Sequence, residues 1–212
     1  MNKWLLGIAA IVLIVAVYYV VGSHLLRQEV IVTQDQAAGF AMDELRYTYP
    51  DASIDLYSIT NVSNVSGEAV WKIMAKVVYG NGTVCPSLTD VELHYPRFGF
   101  VTRNRSITQD CHVLGCRNVP NCIIAYPEEA IIMPLDLDRN PAAQANISRY
   151  FDAAGGSGNV AASATYYPLF EGQGNMTYPE VWVISYRAHS LNYSLETILN
   201  KTGGIVLGYY AK

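Results

Sequence analysis

A chain of 212 residues has room for one medium domain or two small ones beside a membrane anchor. Only 15% of its residues are charged and the net charge is −4, which excludes the clustered basic surface that a phosphate backbone demands, so no nucleic-acid partner is expected. The 51% apolar content is too high for a disordered tail, and the absence of any run of like charges excludes a charged interaction arm.

Trp4 to Val21 carries no charge, and its only polar-edged residues are Tyr18 and Tyr19. Eighteen helical residues span about 27 Å, close to the thickness of a hydrocarbon core. Trp4 and the tyrosine pair suit the two interfaces of such a span. A cleaved signal peptide would show a shorter apolar run of about 7–15 residues and a small-residue cleavage site. Val21-Gly22-Ser23 makes a poor one, so residues 1–27 are expected as an uncleaved transmembrane anchor with its flanks, in contact with membrane lipid through residues 4–21. Lys3 before the segment and His24 and Arg27 after it leave the orientation open.

The orientation comes from the rest of the chain. Eight Asn-x-Ser/Thr triplets begin at Asn61, Asn64, Asn81, Asn104, Asn146, Asn175, Asn192 and Asn200, none with Pro in the middle. Random placement of 13 Asn among 24 Ser plus Thr in 212 residues gives roughly 1.5 such triplets. The excess implies N-linked glycans, and hence a C-terminal part outside the cytosol.

Beyond the anchor, Arg27 to Thr33 reads as a connector. Ala37, Phe40, Ala41 and Leu45 fall on one helical face, which predicts a helix over Asp35–Tyr47 ended by Tyr49-Pro50. Alternation predicts a strand over Ala52–Thr60, and the sequon pair at 61–66 with Gly67 reads as a polar turn. Glu68–Tyr79 is β-branched and runs into Gly80-Asn81-Gly82, a hairpin signal; a further strand is predicted over Asp90–Val101.

Residues 102–127 show little periodicity and read as a stapled loop or small subdomain. With Cys85 remote in sequence, Cys111, Cys116 and Cys122 are separated by four and five intervening residues. An even cysteine count outside the cytosol reads as two disulfides with three possible connectivities. The competing zinc site, with His112 as a further ligand, lacks the close Cys pairs such sites use, so no metal is expected. Asp136-Leu137-Asp138 with Asn140 places alternating oxygens that suit calcium, but without the Gly and distant Glu of an EF-hand it reads as a solvated turn.

Asn140-Pro141 opens a predicted helix with an apolar stripe of Ala142, Ala145, Ile147, Tyr150 and Phe151, ended by Gly155-Gly156. Strands are predicted over Val160–Phe170, Glu180–Ala188, Tyr193–Leu199 and Ile205–Tyr209. The expected class is therefore α+β: an anchor, a first helix-plus-antiparallel-sheet unit over 28–101, a cysteine-containing connector over 102–139, and a second unit over 140–212. The strings Glu68-Ala69-Val70-Trp71 and Glu180-Val181-Trp182 each follow a helix, as they would in a duplicated unit.

The last unit resembles the PepSY/cystatin-like class on Val181-Trp182-Val183-Ile184-Ser185-Tyr186, Tyr193-Ser194-Leu195-Glu196 and Lys201-Thr202-Gly203-Gly204-Ile205-Val206-Leu207. The resemblance covers about 140–211 and more weakly 35–101, and it departs from the class at Asn200-Lys201, where an acidic residue usually precedes Thr-Gly. It implies a helix against a curved antiparallel sheet and a non-catalytic module that binds or restrains peptidases or serves as an envelope adaptor. The sequon density resembles that of archaeal surface glycoproteins.

Chemistry-bearing motifs are absent from the sequence pattern. His24, His94, His112 and His189 are scattered without metal or acid-base spacing, and Gly156-Ser157-Gly158 has no strand before it to make a nucleophile elbow. Sixteen tyrosines suit a core, with a carbohydrate- or protein-binding surface as the alternative. The expectation is a non-catalytic, single-pass cell-surface glycoprotein with no cofactor and with a protein partner or self-assembly as its role. The alternatives are a pilin-like filament subunit, for which Lys3-Trp4 and Gly7 fit a processing site poorly, and an accessory subunit of a membrane complex.

Overall fold

The computed structural model describes residues 32–63, 69–95, 103–117, 119, 122–136, 140–172 and 176–202, together with the backbone of 206–211. The expected membrane segment 4–21, the sequon residues Asn64 and Asn175, and the connector residues 137–139 lie outside the described residues. Gln34–Lys212 form one compact unit.

A helix, α1 (Gln34–Thr48), precedes four long strands and one short one: β1 (Ser53–Ser63), β2 (Ala69–Tyr79), β3 (Ser87–Tyr95), β4 (Arg103–Gln109) and β5 (His112–Val113). These form an antiparallel sheet in sequence order. A short helix, α2 (Pro127–Ile132), and α3 (Pro141–Ala153) follow. The second sheet is the antiparallel meander β6 (Val160–Glu171), β7 (Thr177–Ala188), β8 (Ser194–Asn200) and β9 (Val206–Ala211).

The fold is mainly β, which corrects the expected α+β class. Strands take up sequence that reads as turn or loop. β1 continues through the first sequon, pairing Asn61 with Trp71 and Ser63 with Ala69. The aperiodic stretch 102–127 supplies β4 and β5; in β4 only Ile107 is apolar, so pairing with β3 rather than alternation holds it. The longest α-helix among the described residues has 15 residues, and none there is long and apolar enough to cross a membrane.

Each face of the first sheet has a different chemistry because side chains alternate along a strand. Ile73, Ala75 and Val77 of β2 lie opposite Leu93, Val91 and Thr89 of β3. Against this apolar face α1 lays Ala37, Ala41 and Leu45, all buried, and Phe40 stacks on Tyr95 with ring centroids 5.3 Å apart. The opposite face carries Lys72, Met74 and Lys76 opposite His94, Glu92 and Asp90.

The main core lies on the second sheet, where Trp182, Ile184 and Tyr186 of β7 meet Leu195 and Leu199 of β8, Ile147 and Tyr150 of α3, and Ala130, Ile131 and Ile132 of α2. The stripe on α3 differs from the expected one: Ala143, Ile147 and Tyr150 are buried, while Ala142 and Ala145 face out. Cys116, Cys122 and Ile124 also belong to this core, so the cysteine-bearing stretch packs with the second sheet instead of standing as a loop of its own.

Two disulfides select one of the three connectivities. Cys85 pairs with Cys111 across 26 residues and Cys116 with Cys122 across six, at Cα separations of 4.9 and 5.1 Å. In the chain-entropy account such loops stabilise by about 3 to 4 and about 2 kcal/mol. Cys111 also sits with Asp110 in the two-residue turn between β4 and β5, where both residues have positive φ (50° and 59°). That is the mirror-image hairpin turn, here without the usual Asn-Gly, and the bond to Cys85 pins its second residue.

The Tyr186 hydroxyl, fully buried, donates to the carbonyl of Ile131 at 2.8 Å. Tyr186→Phe keeps the ring and leaves that carbonyl without its donor, so urea titration is expected to show a loss of about 1–3 kcal/mol. Tyr47→Phe, at a position 86% exposed, should stay within about 0.5 kcal/mol of the parent. Equal midpoints for the two variants would contradict a stabilising role for the buried bond.

Candidate functional site: the open polar face of the first sheet

Opposite charges meet across the ladder of the first sheet. Lys72 Nζ lies 3.1 Å from Glu92 Oε2, and His94 Nε2 lies 2.7 Å from Glu92 Oε1. One row along, the Tyr57 hydroxyl donates to Asp90 Oδ1 at 2.7 Å. Tyr57 alternates onto this face with Asp55, which pairs with Lys76, and the bulge between Leu56 and Ser58 puts Ser58 rather than Tyr57 opposite Met74. Asp90 in turn pairs in register with Arg105 of β4.

The far end of the face is covered. Tyr126 packs on Val78, Leu88 and Ile107, and Lys76 Nζ stands 5.3 Å from the centroid of its ring. Lys76 also reaches Glu128 at 3.9 Å. Glu128 is buried at the start of α2, and its Oε2 has no hydrogen-bond partner, so the lysine is the charge that compensates it. Glu129, equally buried, turns back on its own helix: its Oε2 accepts the Ala125 and Tyr126 N–H groups at 2.7 and 3.0 Å. The Lys72–Glu92–His94 end stays open and half-buried.

The electrostatics follow from these contacts. Burial opposes ionisation of Glu92, but the hydrogen bonds from Lys72 and His94 outweigh it and hold the carboxyl below its ordinary value. Glu129 moves the other way, because burial and the neighbouring Glu128 charge outweigh its two amide donors. Burial and Asp90 push the phenols of Tyr57 and Tyr126 up.

None of these residues belongs to a sequence motif; the signal is a pairing of opposite charges across strands, visible only once the register is known. The residues that sequence reasoning did single out are dispersed. Asn61, Asn81, Asn104 and Asn192 are exposed, Asn61 and Asn104 on strands and the other two in turns. Asn104 Nδ2 donates to the Tyr49 hydroxyl at 2.8 Å. Asn146 is half-buried in α3, its Nδ2 donating to Ala142 O at 3.0 Å. Asn200 closes β8, its Oδ1 accepting the Thr202 N–H and hydroxyl at 2.7 and 2.8 Å. His112 is exposed beside a disulfide, and His189 lies exposed in the turn after β7. Asp136 is described without its neighbours 137–139, and Asn140 is buried with its Nδ2 on Met133 O at 3.3 Å. Gly156, Ser157 and Gly158 form a turn after α3 with Gly156 at φ 114°. Among the described residues no three His, Cys, Asp or Glu side chains are grouped to hold a metal ion.

No protein-family model, curated protein or solved structure matches the chain.

Because its folded-state pKa is lowered, Glu92 contributes stability that is present above the ordinary carboxylate range and is lost as pH falls through the folded value. Glu92→Gln is therefore expected to flatten the acid limb of a denaturant-midpoint profile measured against pH. An acid limb of unchanged slope would remove Glu92 from the account.

Proposed function

We propose that this chain is a single-pass, membrane-anchored glycoprotein whose compact part stands outside the cytosol and works as a binding or adaptor module, with no reaction assigned to it. The observation that carries this reading is the state of the cysteines: Cys85, Cys111, Cys116 and Cys122 are all committed to disulfides, with none free. Such bonds persist in oxidising compartments and are rare where thiols are kept reduced. The excess of sequons supports the same placement, and four of their asparagines are exposed. The anchor role falls to residues 4–21 on their length and lack of charge.

A sheet face lined with Lys72, Glu92, His94 and Asp90 recognises by charge and hydrogen bonding, which suits a protein partner better than an apolar ligand. The PepSY/cystatin-like resemblance of the C-terminal part implies an adaptor of the same kind.

The test uses the full chain purified from membranes of its source cells. Chemical deglycosylation is expected to lower its mass by several glycan units, and alkylation after denaturation without reductant should modify no thiol. An unchanged mass together with four alkylated cysteines would overturn the reading.

A further inference from the structure

The turn between β2 and β3 carries the sequon Asn81-Gly82-Thr83, and it is docked on the second sheet. Ala162 N–H donates to Gly82 O at 2.8 Å, and Thr83 forms an isolated antiparallel bridge with Ala161. Thr83 also closes its own turn, with both its N–H (3.0 Å) and its hydroxyl (2.6 Å) on Gly80 O. The sequon is thus held rigidly at the place where the two sheets meet.

Beside it lies an open cleft of ≈ 610 Å³, whose other walls include Ala154 at the end of α3, Asn159 and Val160 at the start of β6, and His189 and Ser190 after β7. That volume falls within the range of about 300–1,000 Å³ typical of ligand sites. Among the described residues no Asp, Glu, Lys or Arg lines it. Asn159 Nδ2 is occupied by the carbonyls of Ala154 and Gly155 at 3.2 and 3.0 Å, which leaves its Oδ1 as an acceptor. The Ser190 hydroxyl donates to Ala154 O at 3.5 Å and keeps its lone pairs. Among the described residues the Asn81 amide and the His189 imidazole have no hydrogen-bond partner. Uncharged acceptors, one imidazole and small apolar patches are what a sugar ring uses, through its hydroxyls and its C–H face. The Asn81 amide also differs from those of Asn104 and Asn146, whose Nδ2 groups are engaged.

We infer that this cleft seats the first sugars of an N-glycan carried by Asn81, so that the oligosaccharide bridges the β2–β3 turn to the end of α3 and the turn after β7. The inference rests on the reading of the chain as an N-glycosylated protein outside the cytosol. The donor is an oligosaccharide on a lipid phosphate or diphosphate. A bond forms between Asn81 Nδ2 and the sugar C1, the C1–O bond to phosphate breaks, the lipid phosphate leaves with the electron pair, and the amide proton passes to a base of the transferase.

Site-resolved mass spectrometry on the full chain from its source cells, combined with amide hydrogen exchange, tests this. Asn81 is expected to carry glycan, and amides of 155–160 and 188–192 should exchange several-fold faster in Asn81→Gln than in the parent. Thr83→Ser, which keeps the sequon and the hydroxyl, should retain both glycan and slow exchange, and Asn61→Gln should leave these amides unchanged. A bare Asn81 in a chain glycosylated elsewhere overturns this inference alone, as does an occupied Asn81 whose removal leaves exchange unaltered. A chain without glycan at any sequon overturns the proposed function itself.

Discussion

The stretch 122–135 runs through the core with only Ile123 and Ala125 exposed, and the structure depends on how its buried backbone polar groups are satisfied. A buried carbonyl or amide without a partner costs about 1–3 kcal/mol, so a segment of this length could not lie there unpaired. The second sheet supplies the partners. Trp182 Nε1 donates to Ile124 O at 3.2 Å, the Tyr186 hydroxyl to Ile131 O at 2.8 Å, and Lys201 O accepts Ile124 N–H at 3.0 Å. Within the segment, Glu129 captures the amides of Ala125 and Tyr126 just before α2, and Pro127 at the first helical position removes the need for one more. From the first sheet Lys76 reaches Glu128, and α2 touches β4 and β5 as well as β6 and β7.

Both candidate surfaces follow from that constraint. Because Tyr126 and α2 cover one end of the first sheet's polar face, Lys76 is drawn inward, and the Lys72–Glu92–His94 group is what remains open to a partner. The same arrangement brings the start of β6 to the β2–β3 turn, where Thr83 and Gly82 contact Ala161 and Ala162. Each surface is a by-product of how the two sheets are joined: the polar face has no motif, and the sequon at Asn81 marks only one wall of the cleft.

Legibility in the sequence tracked local signals. α1, α3 and the strands β2, β6 and β8 were visible within a residue or two, because helical spacing, Pro at the first helical position, glycine turns and β-branched runs are local. β7 is expected from Glu180 but begins at Thr177; Pro179 reads as a break, while Glu180 sits at positive φ, its carbonyl accepts from Lys201, and the register with β6 is the same on either side of it, Val181 opposite Tyr167 and Pro179 opposite Leu169, so the strand continues. β4 and the Asp110-Cys111 turn were not legible, since one is held by its neighbour and the other by a disulfide to a distant residue. α2 has only a local signal in the sequence: Pro127 and Glu129 have the spacing of a helix start, but the run Ala130-Ile131-Ile132 is too short for periodicity to show. The cysteines could be read as paired but not as to which with which, because connectivity depends on the fold. The charges on the polar face became a site only through register, which a single sequence does not display.

If 122–135 joins the two sheets, they unfold together. Hydrogen exchange pulsed across a urea titration of the intact chain, and resolved by peptide, reads this directly. The account predicts that peptides from β2–β3 and from β7–β8 lose protection at one shared urea midpoint. Loss of protection in one sheet at lower urea, with the other still fully protected, would contradict it.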